Sequence, residues 1–148
     1  MSLKDRITED MKSAMKAGDK DRLKVVRLIL AAIKQVEVDT RKELDDTAVL
    51  GVLDKMVKQR RDSVEQFTKG GRADLAAIEE AEISVLDGYL PAKMDDAELD
   101  ALIDEVIVAT GAESVRDMGK VMGAIKSKAA GRADMGVVGS RVKERLGA

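Results

Sequence analysis

Gly119 and Gly123 stand one helical turn apart in a stretch rimmed by Arg116, Lys120 and Lys126, the most informative chemical pattern in the chain. Each glycine inside a helix costs about 1 kcal/mol relative to alanine, so two of them need an offsetting gain. One source is close packing, in which a neighbouring helix fits against a surface without side chains. The other is close approach of a ligand's backbone to a bare strip bordered by positive charge. Lys128, Arg132 and Lys143 follow and would add long-range attraction for a polyanion.

Two further basic groupings stand earlier in the chain. Lys20, Lys24, Arg27 and Lys34 fall within about 80° of one another on a helical wheel, which makes either a solvated face or a track of weak, salt-sensitive phosphate contacts. Arg60 lies inside the apolar stripe Val49, Leu53, Met56, Val57, Val64 and Phe67, within the polar run that includes Arg61. Its guanidinium can reach water, pair with an acid of another helix, or meet a phosphate or carboxylate at the edge of a bundle. The carboxylate pairs Asp45-Asp46, Glu79-Glu80 and Asp95-Asp96 sit near predicted helix starts or on exposed faces. Capping and favourable interaction with the helix dipole account for them.

The types that are missing narrow the chemistry. The 148 residues include no histidine and no cysteine. The usual general base near neutral pH, the commonest metal ligand and the thiol nucleophile are therefore all absent. No Ser-His-Asp set or phosphate-binding glycine loop occurs, so no catalytic residue, cofactor or metal site is expected. Phe67 and Tyr89 are the only aromatic residues, too few for a platform that stacks single-stranded bases. Lack of cysteine fits a reducing compartment, and charges occupy the start of the chain where a signal peptide would need an apolar stretch; the expected location is cytoplasmic. No apolar run approaches the length of a membrane span, and no membrane partner is expected.

Charge is uneven along the chain. Residues 1–92 are nearly balanced, residues 93–109 carry Lys93 against six acids, and residues 110–148 carry eight bases against four acids. A basic tail behind an acidic segment predicts a charge-polarised surface.

The elements that must position these residues are all helical. Leu3, Ile7, Met11 and Met15 recur every four positions behind a Ser2/Asp5 capping box, and Gly18 ends that helix. A second helix over about 20–39 is apolar around half its circumference and should be central to a bundle. A third runs from Asp45 or Asp46 to Lys69, stopped by Gly70-Gly71, and a fourth from Ala73 to Tyr89. Pro91, the only proline, marks the clearest break. Beyond it, shorter helices are predicted near 95–110, 115–130 and 135–146, with a second capping box at Ser114 and Asp117. The reading is all-α, with an N-terminal helical bundle over 1–92 and a small three-helix domain over 93–148.

These residues resemble the YqeY-like proteins, whose C-terminal part is similar to the tail domain on the kinase-like subunit of the glutamine-dependent tRNA amidotransferases. The matching tail is Asp117-Met118-Gly119-Lys120-Val121-Met122-Gly123, then Gly131-Arg132-Ala133-Asp134 and Val142-Lys143-Glu144. In the N-terminal part it is Leu23 to Lys34, Arg60-Arg61-Asp62-Ser63, Gly71-Arg72-Ala73-Asp74-Leu75, and Glu82-Ile83 leading into Tyr89-Leu90-Pro91. The resemblance implies two helical domains. It also implies a tail that in the amidotransferase helps hold the body of tRNA while other parts perform amide transfer. Family names attach a carbon–nitrogen ligase activity with glutamine as amido donor, yet neither an ATP site nor an amidase nucleophile is visible here.

The expected function is a non-catalytic tRNA-associated module that meets folded RNA by shape and phosphate through Arg116, Gly119, Lys120, Gly123, Lys126, Lys128 and Arg132. Lys20, Lys24, Arg27, Lys34, Arg60 and Arg61 are secondary basic candidates. The alternative is an adaptor that docks an aminoacyl-tRNA synthetase or an amidotransferase subunit.

Overall fold

The computed structural model describes residues 1–147, and among them every regular element is helical. The elements are α1 (Leu3–Ala17), α2 (Lys20–Thr40), α3 (Asp46–Lys69), α4 (Ala73–Asp87), α5 (Asp96–Thr110), a 3₁₀ turn (Val115–Asp117), α6 (Met118–Ala129) and α7 (Met135–Gly147). By their contacts they form two compact units, Met1–Leu90 and Pro91–Ala148.

The first unit closes around Ile7, Val26, Ile29, Ile33, Val49, Leu53 and Leu86, all essentially inaccessible to solvent. α2 and α3 share the centre, each touching the other three helices. The apolar half predicted for α2 turns inward, with Val25, Val26, Ile29 and Ile33 buried, while Leu28, outside that arc, is 40% exposed. The helix ends are fixed locally. Ser2 and Asp5 form the expected capping box, and Gly18 takes the left-handed conformation (φ 67°) that an L side chain rarely adopts. Glu37 joins three segments by accepting from Lys4 Nζ at 2.8 Å and from the Leu44 N–H at 2.9 Å. The Lys4 hydrogen bond, then that of Leu44, holds its carboxyl below the usual carboxylate range.

α4 ends at Asp87, two residues before the sequence reading placed its end. After Gly88 the chain turns Tyr89 into the core, where its hydroxyl donates to Asp10 Oδ2 at 2.6 Å. Arg22 lies 3.7 Å from the same carboxylate, and the Arg6 guanidinium sits 5.1 Å from the centre of the Tyr89 ring. A helix carried on to residue 89 would forgo this part-buried hydrogen bond to a carboxylate, which is worth more than one extra turn residue.

The second unit packs Leu99, Ile103 and Val106 of α5 against Val121, Ile125 and Ala129 of α6 and Val138, Val142 and Leu146 of α7. Its first residues are held by the loop before α7: the Met94 N–H donates to the Arg132 carbonyl at 2.9 Å, and Arg132 Nε donates to the Ala92 carbonyl at 2.8 Å. The helix predicted over 115–130 is divided. Ser114 and Asp117 do form a capping box, but it caps a 3₁₀ turn, and α6 begins only at Met118. Asp117 folds back to accept from the N–H groups of Glu113 (2.9 Å) and Ser114 (3.4 Å), and those bonds depress its carboxyl pKa.

Candidate nucleic-acid interface

α6 sets the geometry of the candidate site. Val121, Ile125 and Ala129 mark its buried line, with Met118 and Met122 half-buried beside it. At about 100° per residue, Gly119, Lys120, Gly123 and Ser127 fall on the opposite, solvent side, with Lys126 at its edge. All five are exposed. A Cβ built on Gly119 or Gly123 would meet no atom within 4 Å. Close packing among the described residues of this unit is therefore not what offsets these glycines. Because α6 starts at Met118, Gly119 lies in the first turn, and only Gly123 is at the helix centre.

The rim is positive and largely unspent. Among the described residues, neither Arg116 nor Lys126 has a carboxylate within 4 Å, and both are exposed. Lys120 is 3.6 Å from Asp117, with most of its side chain in solvent. The structure thus brings together Arg116, Gly119, Lys120, Gly123 and Lys126.

It does not add Lys128 and Arg132 to them. Lys128 lies on the far flank of α6, 3.4 Å from Glu105 of α5. Arg132 bonds Glu98 at 3.1 Å besides its backbone acceptor, so it holds the loop together. These pairs belong to a larger neutralisation that sequence reasoning missed. Asp96, Asp100 and Asp104 recur every four residues along α5, and Arg141 and Arg145 do so along α7. Arg141 meets Asp96 at 2.6 Å and Asp100 at 3.2 Å, while Arg145 meets Asp100 at 3.4 Å and also Asp104. The predicted polarity between an acidic segment and a basic tail is corrected accordingly. Lys128, Arg132, Arg141 and Arg145 are paired with α5; Arg116, Lys120 and Lys126 are left around the outer face of α6, and Lys143 is exposed on α7. The matching four-residue spacings of acids and arginines were the signal that could have revealed this.

The secondary candidates are scattered over the first unit. Lys20, Lys24, Arg27 and Lys34 are exposed along α2, as the wheel indicates, and none has a carboxylate within 4 Å among the described residues. Arg61 is exposed on α3. Arg60 is turned inward, with only 14% of its side chain accessible. Its Nε lies 3.6 Å from Glu82 Oε2 of α4, and Nη1 donates to the Met56 carbonyl at 3.3 Å. Of the three fates open to this guanidinium, pairing with an acid of another helix is the one realised.

Fold and surface together define an all-helical protein that presents a bare, cation-rimmed helix face. The chain belongs to the family of YqeY-like proteins, whose model matches residues 4–146. Similar curated proteins are named "Altered inheritance of mitochondria protein 41, mitochondrial". The one from Lachancea thermotolerans is 36% identical over 68% of this chain and 56% of its own length. The one from Pyrenophora tritici-repentis is 31% identical over 97% of this chain and 80% of its own length. The one from Eremothecium gossypii is 39% identical over 58% and 48%. The chain thus spans only about half the length of two of these relatives. They also correct the cytoplasmic expectation, since all three are named mitochondrial. Composition could not draw that distinction: a lack of cysteine separates oxidising compartments from reducing ones, not one reducing compartment from another. Among the described residues no helix is long and apolar enough to cross a membrane.

Proposed function

We propose that this chain is a non-catalytic module that holds folded RNA, tRNA in the first instance, by its sugar–phosphate backbone. The observation that carries this reading is the open Gly119/Gly123 strip, with Arg116, Lys120 and Lys126 on its rim. Arg116 and Lys126 are not committed to any acid among the described residues, so their charge is available to phosphate. Glycines without neighbours let a phosphate backbone reach the helix itself, and donors on both sides then close on its oxygens. With no aromatic residue after Pro91, recognition proceeds by shape and charge, with little base reading. The choice of tRNA rests on the resemblance of this tail to the tail domain of the tRNA amidotransferases.

Fluorescence anisotropy with labelled tRNA tests the reading. Binding is expected at 50 mM salt and should weaken about 20- to 40-fold at 200 mM if three phosphates are neutralised. Undetectable binding at low salt would overturn it.

One observation favours a second reading, an adaptor for a synthetase or an amidotransferase subunit. Val115, beside Arg116, is 42% exposed and borders a shallow groove with Ser140, Lys143, Glu144 and Gly147. A mixed apolar and charged surface of this kind suits a protein partner. A pull-down treated with ribonuclease separates the two: partners retained without RNA support the adaptor. Glutamine- and ATP-dependent amide formation by the purified chain alone would replace both readings with a ligase.

A further inference from the structure

A cleft of about 340 Å³ opens between the first half of α2 and the face of α4. Val25, Ile78, Ala81 and Val85 give it an apolar floor, and Ile78 is left 53% exposed. Its volume is at the small end of the range for ligand pockets, about 300–1,000 Å³. This site lies in the first unit and shares no residue with the α6 face.

The polar wall is unusual in being buried and under-used. Glu82 lines the cleft with only 12% of its side chain accessible. Its charge is balanced by Arg60 behind it, but at 3.6 Å, beyond hydrogen-bonding distance. Arg60 Nε is buried without an acceptor, and the Glu82 carboxylate accepts no hydrogen bond among the described residues. An ionised carboxylate has about four acceptor sites, so this one keeps nearly all its capacity for a donor entering the cleft. At the rim, Lys24 is exposed and has no carboxylate within 4 Å among the described residues, while Arg22 is already turned to Asp10 and Tyr89. Asp19 and Asp21 also border the opening.

Both signs of charge over an apolar floor restrict the ligand. A dication would be repelled by Lys24 and Arg22, and a dianion by Glu82, Asp19 and Asp21. We infer that the α2/α4 cleft binds a small zwitterion with an aliphatic body, an apolar α-amino acid. Its ammonium group donates to Glu82, its carboxylate meets Lys24, and its side chain lies on Val25, Ala81 and Val85.

NMR titration of the full ¹⁵N-labelled chain tests this, with L-leucine, 3-methylbutylamine and 4-methylpentanoate as probes. Leucine at millimolar concentration is expected to give saturable shifts at the amides of Val25, Ala81 and Val85. The amine lacks the carboxylate and the acid lacks the ammonium, so each should bind at least about tenfold more weakly, the loss of one charge-assisted contact. Lys24→Glu should weaken leucine by a similar factor and leave the amine unaffected or improved. Glu82→Gln should abolish leucine binding, but it leaves Arg60 without its counter-charge and can unfold the bundle. Ala81→Leu therefore serves as a second variant: the position is exposed, the helix accepts leucine, and the added side chain fills the cleft. Absence of saturable shifts with leucine overturns the inference. So does equal affinity for the amine, or leucine binding that survives Ala81→Leu.

Discussion

Alanine at both Gly119 and Gly123 should stabilise the protein while weakening its contact with RNA, an outcome that few surface substitutions share. At Gly123 the backbone is helical and the added methyl meets nothing within 4 Å, so alanine gains its full propensity advantage, about 1 kcal/mol. Gly119 lies in the first turn of α6, where helical order is looser, and about half of that gain is expected. Together the pair is worth about 1.5 kcal/mol, which raises the thermal midpoint by several degrees as followed by far-UV circular dichroism. The same methyls stand where the phosphate backbone would approach. A loss of about 1 kcal/mol of contact lowers tRNA affinity about fivefold in an anisotropy titration. The salt dependence of binding should not change, because all three cations remain. A destabilised double variant would refute the argument at its base, since it would mean that something covers the strip. A stabilised variant that binds tRNA as tightly as the parent would leave the fold intact and remove the strip from the interface.

Lys120→Glu with Lys126→Glu removes two of three phosphate contacts, so the fourfold rise in salt should weaken binding only about threefold instead of about 20- to 40-fold. Lys12→Glu with Lys69→Glu, which alters the net charge equally through lysines paired on their own helices, should leave the salt slope unchanged. Arg60→Ala strands the buried Glu82 charge and should cost about 3 kcal/mol in urea unfolding, whereas Arg60→Met with Glu82→Leu recovers most of it. The Tyr89 hydroxyl is pushed from 10.0 up to about 12, first by burial and then by its bond to Asp10. The folded state thus keeps this proton to higher pH than the unfolded chain. The stability contributed is complete below about pH 10 and is lost as pH rises toward 12. Tyr89→Phe should flatten that part of the stability profile, measured against the parent protein by urea unfolding at successive pH values.

What the chain reveals without its structure follows from range. Helix starts and stops are set by neighbours three or four residues apart, and so Ser2, Gly18, Asp45 and Gly111 could be placed correctly. The end of α4 could not, because Tyr89 leaves the helix to reach Asp10, 79 residues away. The division of the predicted 115–130 helix was missed because a capping box looks the same before a 3₁₀ turn as before an α-helix. At the candidate interface, the glycine strip and its near cations were legible because they share one helix face. The pairing of Lys128 and Arg132 was not legible because their partners, Glu105 and Glu98, sit on another helix. Arg60 carried its own clue, a charge within an apolar stripe, but only the packing of α3 on α4 could show that Glu82 answers it.

The tyrosine hydroxyl held by Asp10 has a practical consequence for spectroscopy. Tyr89 and Phe67 are the only aromatic residues, and both precede Pro91, so the second unit is optically silent in the near ultraviolet. Tyrosine emission therefore reports on one residue only, whose hydroxyl sits 2.6 Å from a carboxylate that quenches it. Loosening of the first unit should register as brightening. A tryptophan placed at exposed Val137 of α7 would give the second unit a separate colour, allowing the two to be watched independently in a single cuvette.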